Sequence, residues 1–213
     1  MANKILLVGN GGHCKSIIDT LLSNNIYDEI AIISKENREI NYFGIKCIGS
    51  DKDLQKLYEN GWENAFVSVG SIGNANNRER LFNDLINIGF CVPNIIDRTS
   101  IVSDNCKIGR GNFVGKNATI NAGTIIGDCC IINTGSIIEH DCTIGNYVHI
   151  SSNSTLCGNV VVKNSAHVGA GSIIKQEVRI GANTTIGIGS VVTKNIEENV
   201  IAYGSPCKVV NKK

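Results

Sequence analysis

The chain has 213 residues, a formal net charge of +1 and a pI near 7.5; at 42% hydrophobic and 18% charged it is not a disordered chain. Near neutrality argues against a surface built for the nucleic-acid backbone, and no apolar run approaches the roughly 18 residues of a membrane-spanning helix. The opening MANKILLVGNGG lacks the pattern of a secretory leader, so the expectation is a soluble cytoplasmic protein with neither nucleic-acid nor membrane partners.

Residues 1–95 read as a small α/β unit. Lys4 to Val8 is a short apolar strand, and a helical stretch runs from His13 to Ser23 with Ile17, Ile18, Leu21 and Leu22 on one face. Glu29 to Ile33 reads as a second strand and Ile45 to Ile48 as a third. Ser50 is a plausible N-cap for a helix over Asp51–Glu59. Ala65 to Val69 is a strand ending at Gly70, and Asn77 to Ile88 reads as helix. Strands alternating with helices imply a parallel sheet covered on both faces.

The turn Gly9-Asn10-Gly11-Gly12-His13 follows the first strand and opens the first helix. It is a truncated form of the dinucleotide-binding turn, because Cys14 stands where the third glycine belongs. Ser34 and Lys35, not an acid, end the second strand, which argues against a dinucleotide coenzyme. Backbone N–H groups of such a turn can still meet a nucleotide phosphate at a helix N-terminus. A ligand-free tight turn is the competing reading.

From residue 96 the chain divides into six-residue blocks without an insertion: 17 blocks ending at Glu197, each opening on Ile, Val or Leu. The fifth position is small or aliphatic nearly throughout, with Asn112 the one amide. Eight of the eleven aromatic residues precede residue 91, so the second half needs a thin, repetitive core. An inward aliphatic residue followed by turn-tolerant ones suits a short strand and a corner. Three blocks close one triangular coil of about 18 residues, and coils stack at about 4.8 Å. The ends of such a stack need covering, one by the N-terminal half and one by the tail ENVIAYGSPCKVVNKK.

Nine cysteines occur, an odd number with no CxxC pair, and are expected as small buried hydrophobes, not disulfides or metal ligands. Four histidines occur: His13, His140, His149 and His167. His140 holds the third, outward position of IEHDCT, and Asp141 follows it near a corner. A carboxylate beside an imidazole sets its tautomer and stabilises the imidazolium, which suits a general base; a solvated surface histidine is the bland alternative. Gly158 lies 18 residues beyond His140, one rung away on the same face, where a missing side chain leaves room and an N–H could hold an oxyanion. His149 lies half a coil from His140, on a different face, and His167 stacks on His149. That column has no third ligand, so no metal is expected.

The unbroken hexapeptide series and the tail IAYGSPCKVV, with Cys207 where the family usually has Ala, resemble the left-handed parallel β-helix acyltransferases. The whole chain is similar to the small two-domain bacterial sugar acetyltransferases: the nucleotide-linked 4-amino-sugar N-acetyltransferases and the group described as sialic acid O-acetyltransferases. The stretch NTGSIIEHD through IGNYVH matches the family's active-site stretch. The resemblance implies an α/β N-terminal Rossmann-like unit (1–95) that binds a nucleotide sugar. It implies next an all-β left-handed parallel β-helix (96–197) and a C-terminal cap (198–213). Carried over, Gly11, Gly12, His13, Ser34, Lys35 and Gly70 hold the nucleotide sugar, with Asn133 a neighbour of the active site. His140, Asp141 and Gly158 carry the chemistry, and His149, Ala170 and Gly158 meet acetyl-CoA. The resemblance also implies a homotrimer with its active sites between subunits.

The expected activity is acetyl transfer from acetyl-CoA to a nucleotide-linked amino-deoxy sugar for surface glycan synthesis. O-acetylation of a sialic-acid-type sugar would use the same base. A non-catalytic trimeric scaffold has no need of an outward His-Asp pair. A nucleotidyltransferase would need a longer N-terminal half.

Overall fold

A computed structural model describes residues 3–35 and 40–213. The N-terminal unit runs β1 (Lys4–Val8), α1 (Gly12–Asn24), β2 (Glu29–Ile33), β3 (Asn41–Tyr42), β4 (Ile45–Gly49), α2 (Leu54–Glu59), β5 (Asn64–Val67) and α3 (Asn76–Ile88). Its sheet has the order β3-β4-β2-β1-β5, parallel except for β3 against β4. The period-two alternation of β1 explains the layers. Ile5 and Leu7 pack with Ile17, Ile18 and Leu21 of α1, while Leu6 and Val8 pack with Leu81, Phe82 and Leu85 of α3.

The elements match the sequence reading to within two residues, with two differences. β3 was not expected, since two residues carry no periodic signal. The helix expected over Asp51–Glu59 starts as a 3₁₀ turn, Asp51–Asp53, because the Ser50 N–H and hydroxyl both donate to Asp53 Oδ2 (2.8 and 2.9 Å).

The second half is a three-sided coil. Each strand is two residues, the last of one block and the first of the next. The first face stacks Ile95–Ile96, Phe113–Val114, Ile131–Ile132, His149–Ile150, His167–Val168 and Thr185–Ile186 in parallel. The second stacks Ile101–Val102 through Ile137–Ile138 to Val191–Val192, and the third Lys107–Ile108 through Thr143–Ile144 to Arg179–Ile180. Rung partners are 18 apart, as in Thr119 with Ile137. The aliphatic first positions line the core from Val114 to Val192.

The fourth position of every block from 111 to 189 has φ between +53° and +77°. Five of these are Gly and four Asn, as expected at left-handed corners; Cys129, Asp141, Tyr147, Ser165 and Glu177 are not. Each of the latter bears a steric cost of about 1–2 kcal/mol, which the rung hydrogen bonds on either side outweigh.

The tail adds a strand to the first face: Val200–Gly204 pairs in parallel with Thr185–Ile186 and turns back antiparallel as Cys207–Lys212. The N-terminal half does not cover the other end. It docks along the first face, from Ile95, Phe113 and Ile131 to a contact of Gly73 with Thr185. Ile96, Val102 and Ile108 at the first rung are therefore only half-buried. The reason is the outward residue of that face: Ile95, Phe113 and Ile131 are apolar and need cover. Of the nine cysteines, Cys14, Cys129, Cys130 and Cys142 are buried, all nine are free thiols, and Cys91 is exposed, against expectation.

Asp97 ties the halves together. It is fully buried and accepts from Thr20 of α1 (2.7 Å), from Thr99 (2.7 Å) and from Lys116 (3.1 Å), which also pairs with Asp19. Burial alone would raise its carboxyl; the bonds from Thr20, Thr99 and Lys116 outweigh that and hold it at about 2. Asp97→Asn should lower the unfolding free energy at pH 7 by about 1–3 kcal/mol in a urea titration. The folded carboxyl lies below its ordinary value, so this stabilisation is complete above about pH 4 and is lost as pH falls through about 2. The midpoints of wild type and variant should converge over that interval.

Candidate active site

His140 leaves the second face at the corner leading to the third, and its side chain is exposed. The left-handed backbone at Asp141 (φ 60°) swings the carboxylate beside it, so His140 Nδ1 and Asp141 Oδ2 are 2.8 Å apart. A neutral imidazole donates Nδ1–H to that carboxylate, which leaves the Nε2 lone pair free. Two glycines make room for this dyad. Gly123, one rung below, lies under the Asp141 carboxylate, where a Cβ would collide with Oδ1. Gly158, one rung above, would bring a Cβ to 2.6 Å from His140 Nε2. The room that the missing Gly158 side chain leaves is taken up by the His140 imidazole itself. The Gly158 N–H and the Ala170 N–H donate to no group among the described residues. At the corners between the third and first faces, by contrast, Asn146 and Asn164 side chains cap the equivalent N–H groups of Asp128 and Asn146. The His140 corner lacks that asparagine ladder.

A second set of residues lines a trail between the two halves. A cavity of about 430 Å³ sits over the N-terminus of α1, lined by Gly11, Gly12, His13, Lys35, Gly70, Asn77, Arg80 and Asp51. Gly11 caps α1 without a side-chain bond and no acid occupies the first turn. His13 and Gly70 also border a second cavity of about 660 Å³, closed by Ser71, Asn133 and His149. From His149 a third cleft runs along the coil past His167 and Ala170 to Ile188.

The histidines of this trail are neutral at pH 7. Burial, then Arg78, holds His13 at about 4; burial, then His167, holds His149 at about 3; burial, then Arg78 and Lys213, holds His167 at about 4. His149 Nδ1–H donates to the Ser71 carbonyl (2.7 Å), so its Nε2 is an acceptor and faces Asn133 Nδ2 (3.4 Å). His13 stands edge-on to Phe113, and its Nε2 is buried without a partner among the described residues.

The sequence-derived residues thus fall into two groups. Gly11, Gly12, His13, Lys35, Gly70, Asn133, His149 and Ala170 share the trail. His140, Asp141 and Gly158 stand on another corner of the same coil. Ser34 lines neither cavity: it is buried at the end of β2, its N–H bonded to Gly49. Three features were missed. Ser71 acts through a backbone carbonyl and leaves no side-chain signal. Arg80, with Asp51 near it (3.8 Å), reads as a surface charge. Arg78 was legible: Leu81, Phe82 and Leu85 follow it at helical spacing, so it lies on the buried face of α3.

Comparison with known proteins covers both halves of the chain. The family model described as the PglD N-terminal domain matches residues 4–85, and that of the bacterial transferase hexapeptide (six repeats) matches 123–158. PerB from Caulobacter crescentus, solved with CoA and GDP-perosamine, is 32% identical over 98% of both chains, with a TM-score of 0.92. The chain belongs to the bacterial hexapeptide-repeat sugar acetyltransferases. The acetyltransferase domain of PglB from Neisseria gonorrhoeae, solved with acetyl coenzyme A, is 27% identical over 99% of this chain and all of that one (TM-score 0.92). WeeI from Acinetobacter baumannii, at 21% identity over 97% of this chain and 99% of that one (TM-score 0.86), shares the fold. No curated protein matches the chain by sequence. The coil of this acetyltransferase is left-handed, as in these relatives, against the usual right-handed crossover.

In this acetyltransferase Gly158→Ala should push the His140 ring off its rung while leaving the coil folded. Displacement of about 1 Å at a reacting group costs on the order of 10²-fold in rate. A crystal structure of the variant would show the ring displaced, and its acetyl-transfer rate should fall by that order with little change in melting temperature.

Proposed function

We propose that the protein transfers the acetyl group of acetyl-CoA to the amine of a nucleotide-linked amino-deoxy sugar. The observation that carries this reading is the His140–Asp141 pair, with a free Nε2 directed at the rung of Gly158. The amine attacks the thioester carbonyl, and His140 Nε2 takes the proton released from nitrogen. Asp141 stabilises the imidazolium, and the unpaired Gly158 N–H receives the oxyanion. Collapse breaks the C–S bond, and the proton passes from His140 to the CoA thiolate. The products are an amide and free CoA.

Residues 1–95 serve as the nucleotide-sugar-binding unit in this reading, 96–197 as the transferase coil and 198–213 as its cap. The uncapped N-terminus of α1, with Lys35 and Arg80 on the cavity wall, suits a diphosphate. The sugar then extends past His13 and Gly70 toward Asn133 and His149. The cleft from His149 past Ala170 suits the pantetheine arm of acetyl-CoA, with the Ala170 N–H free to bond it. PerB, the solved relative with GDP-perosamine and CoA, supports a 4-amino sugar as acceptor.

The dyad and the trail stand on different corners, so one copy does not hold a whole site. The second face exposes Ile101, Ile137 and Ile173 on alternate rungs, with Thr119 and Thr155 between them, from the His140 corner to the Ala170 corner. A cyclic trimer packed on that face would bring the His140 corner of one copy to the Ala170 corner of the next. Both substrates are cytoplasmic metabolites, which favours action there.

Thiol release from acetyl-CoA with a panel of GDP- and UDP-linked amino sugars tests the reading. His140→Ala should lower kcat by about 10²–10⁴-fold. Full turnover in that variant would remove His140 as the base, and the product mass spectrum separates amide from ester. Sedimentation should give three copies per particle.

A further inference from the structure

Arg78 is the largest of the fully buried side chains, with 2% of its surface exposed. Its Nη2 donates to the Tyr147 carbonyl; its Nε and Nη1 meet no acceptor, and no carboxylate pairs with it, among the described residues. An unpaired buried cation costs several kcal/mol, and an apolar side chain of similar volume would fill the space without that cost. Packing therefore does not account for a guanidinium at this point of α3, where Leu81, Phe82 and Leu85 complete the apolar face.

The connections of Arg78 do. Tyr147 sits on a left-handed corner of the coil (φ 59°), two residues before His149. His149 in turn donates to the carbonyl of Ser71, in the loop that runs into α3 and so to Arg78 itself. Arg78 to Tyr147 and His149 to Ser71 are the two ends of one closed ring, seven residues long on one side and two on the other. It fastens the loop that bears Gly70 to the coil. The groups facing Arg78 are His13 from α1, His149 and His167 from the first face, and Cys129 and Cys130 from the coil below.

We propose that Arg78 is a positioning residue of the acceptor site: by tying the Tyr147 corner to the start of α3, it fixes His149 and the Ser71 loop in the arrangement that seats the sugar. The inference rests on the reading that this wall receives the acceptor.

The test compares Arg78→Met and Arg78→Lys with wild type, using histidine-labelled NMR through a pH series and steady-state kinetics. In Arg78→Met the single Nδ1–H tautomer signature of His149 should be lost, and His13 and His167 should titrate at higher pH. The acceptor KM should rise tenfold or more and by more than the acetyl-CoA KM, whose cleft His149 also borders, with kcat falling less than either. Arg78→Lys should recover part of both effects. If Arg78→Met does not fold, Arg78→Gln carries the same comparison, because it keeps amide donors without charge. Unchanged histidine signals, or an equal loss of activity and melting temperature in the Met and Lys variants, would overturn the proposal. A wild-type enzyme that accepts no amino sugar nucleotide would instead reject the function above, and the NMR arm would still decide whether Arg78 fixes His149.

Discussion

Parallel pairing at a fixed offset of 18 residues governs this molecule. Each rung donates its backbone N–H groups to the next, as Thr119 does to Ser136 and Ile137 to Ser154. Once that offset is kept, every side chain has two fixed neighbours, one rung above and one below. Gly158 over His140, Gly123 under Asp141 and His167 beside His149 are all consequences of it. The same constraint places a left-handed residue at every corner from 111 to 189, and Asp141 and Tyr147 occupy two such corners at a steric cost. Both point polar groups where a regular strand would not: a carboxylate toward His140, and a carbonyl toward Arg78.

The two halves contribute different physics. The coil supplies rigid spacing and an exposed polar corner. The N-terminal unit supplies burial, and burial is what keeps three imidazoles uncharged. The outward column of the first face shows where one role passes to the other. Phe113 and Ile131 pack into the core of the α/β unit, and at His149 the same column turns polar, where the loop through Ser71 replaces the helix as cover. His149 thus belongs to both halves: its backbone is a rung of the coil, and its tautomer is set by the other unit.

The coil was legible in the sequence to the residue, because a period of six leaves an aliphatic signal at each first position and small residues at each fifth. The outward His140 and its neighbour Asp141 were legible for the same reason: the phase of the repeat tells which positions face out. The docking of the α/β unit was not. It depends on the apolar outward residues Ile95, Phe113 and Ile131, which look like ordinary apolar strand residues in a chain where most strands are apolar. Backbone acceptors such as the carbonyls of Ser71 and Tyr147 leave no trace in residue type, so the ring through Arg78 emerges only in three dimensions. Ser34 shows the reverse failure, since position in the chain brought it near the cavity and packing turned it inward.

The dyad's geometry is complete within two turns of the coil, from Gly123 to Gly158. Whole turns added or removed beyond those limits would leave His140, Asp141 and their two glycines untouched. They would, however, alter how far the tail stands from the loop it reaches, where Lys213 now donates to the carbonyl of Gly73 (2.6 Å). The architecture therefore separates a fixed reaction centre from an adjustable length, so related chains could differ in groove length without rebuilding their chemistry.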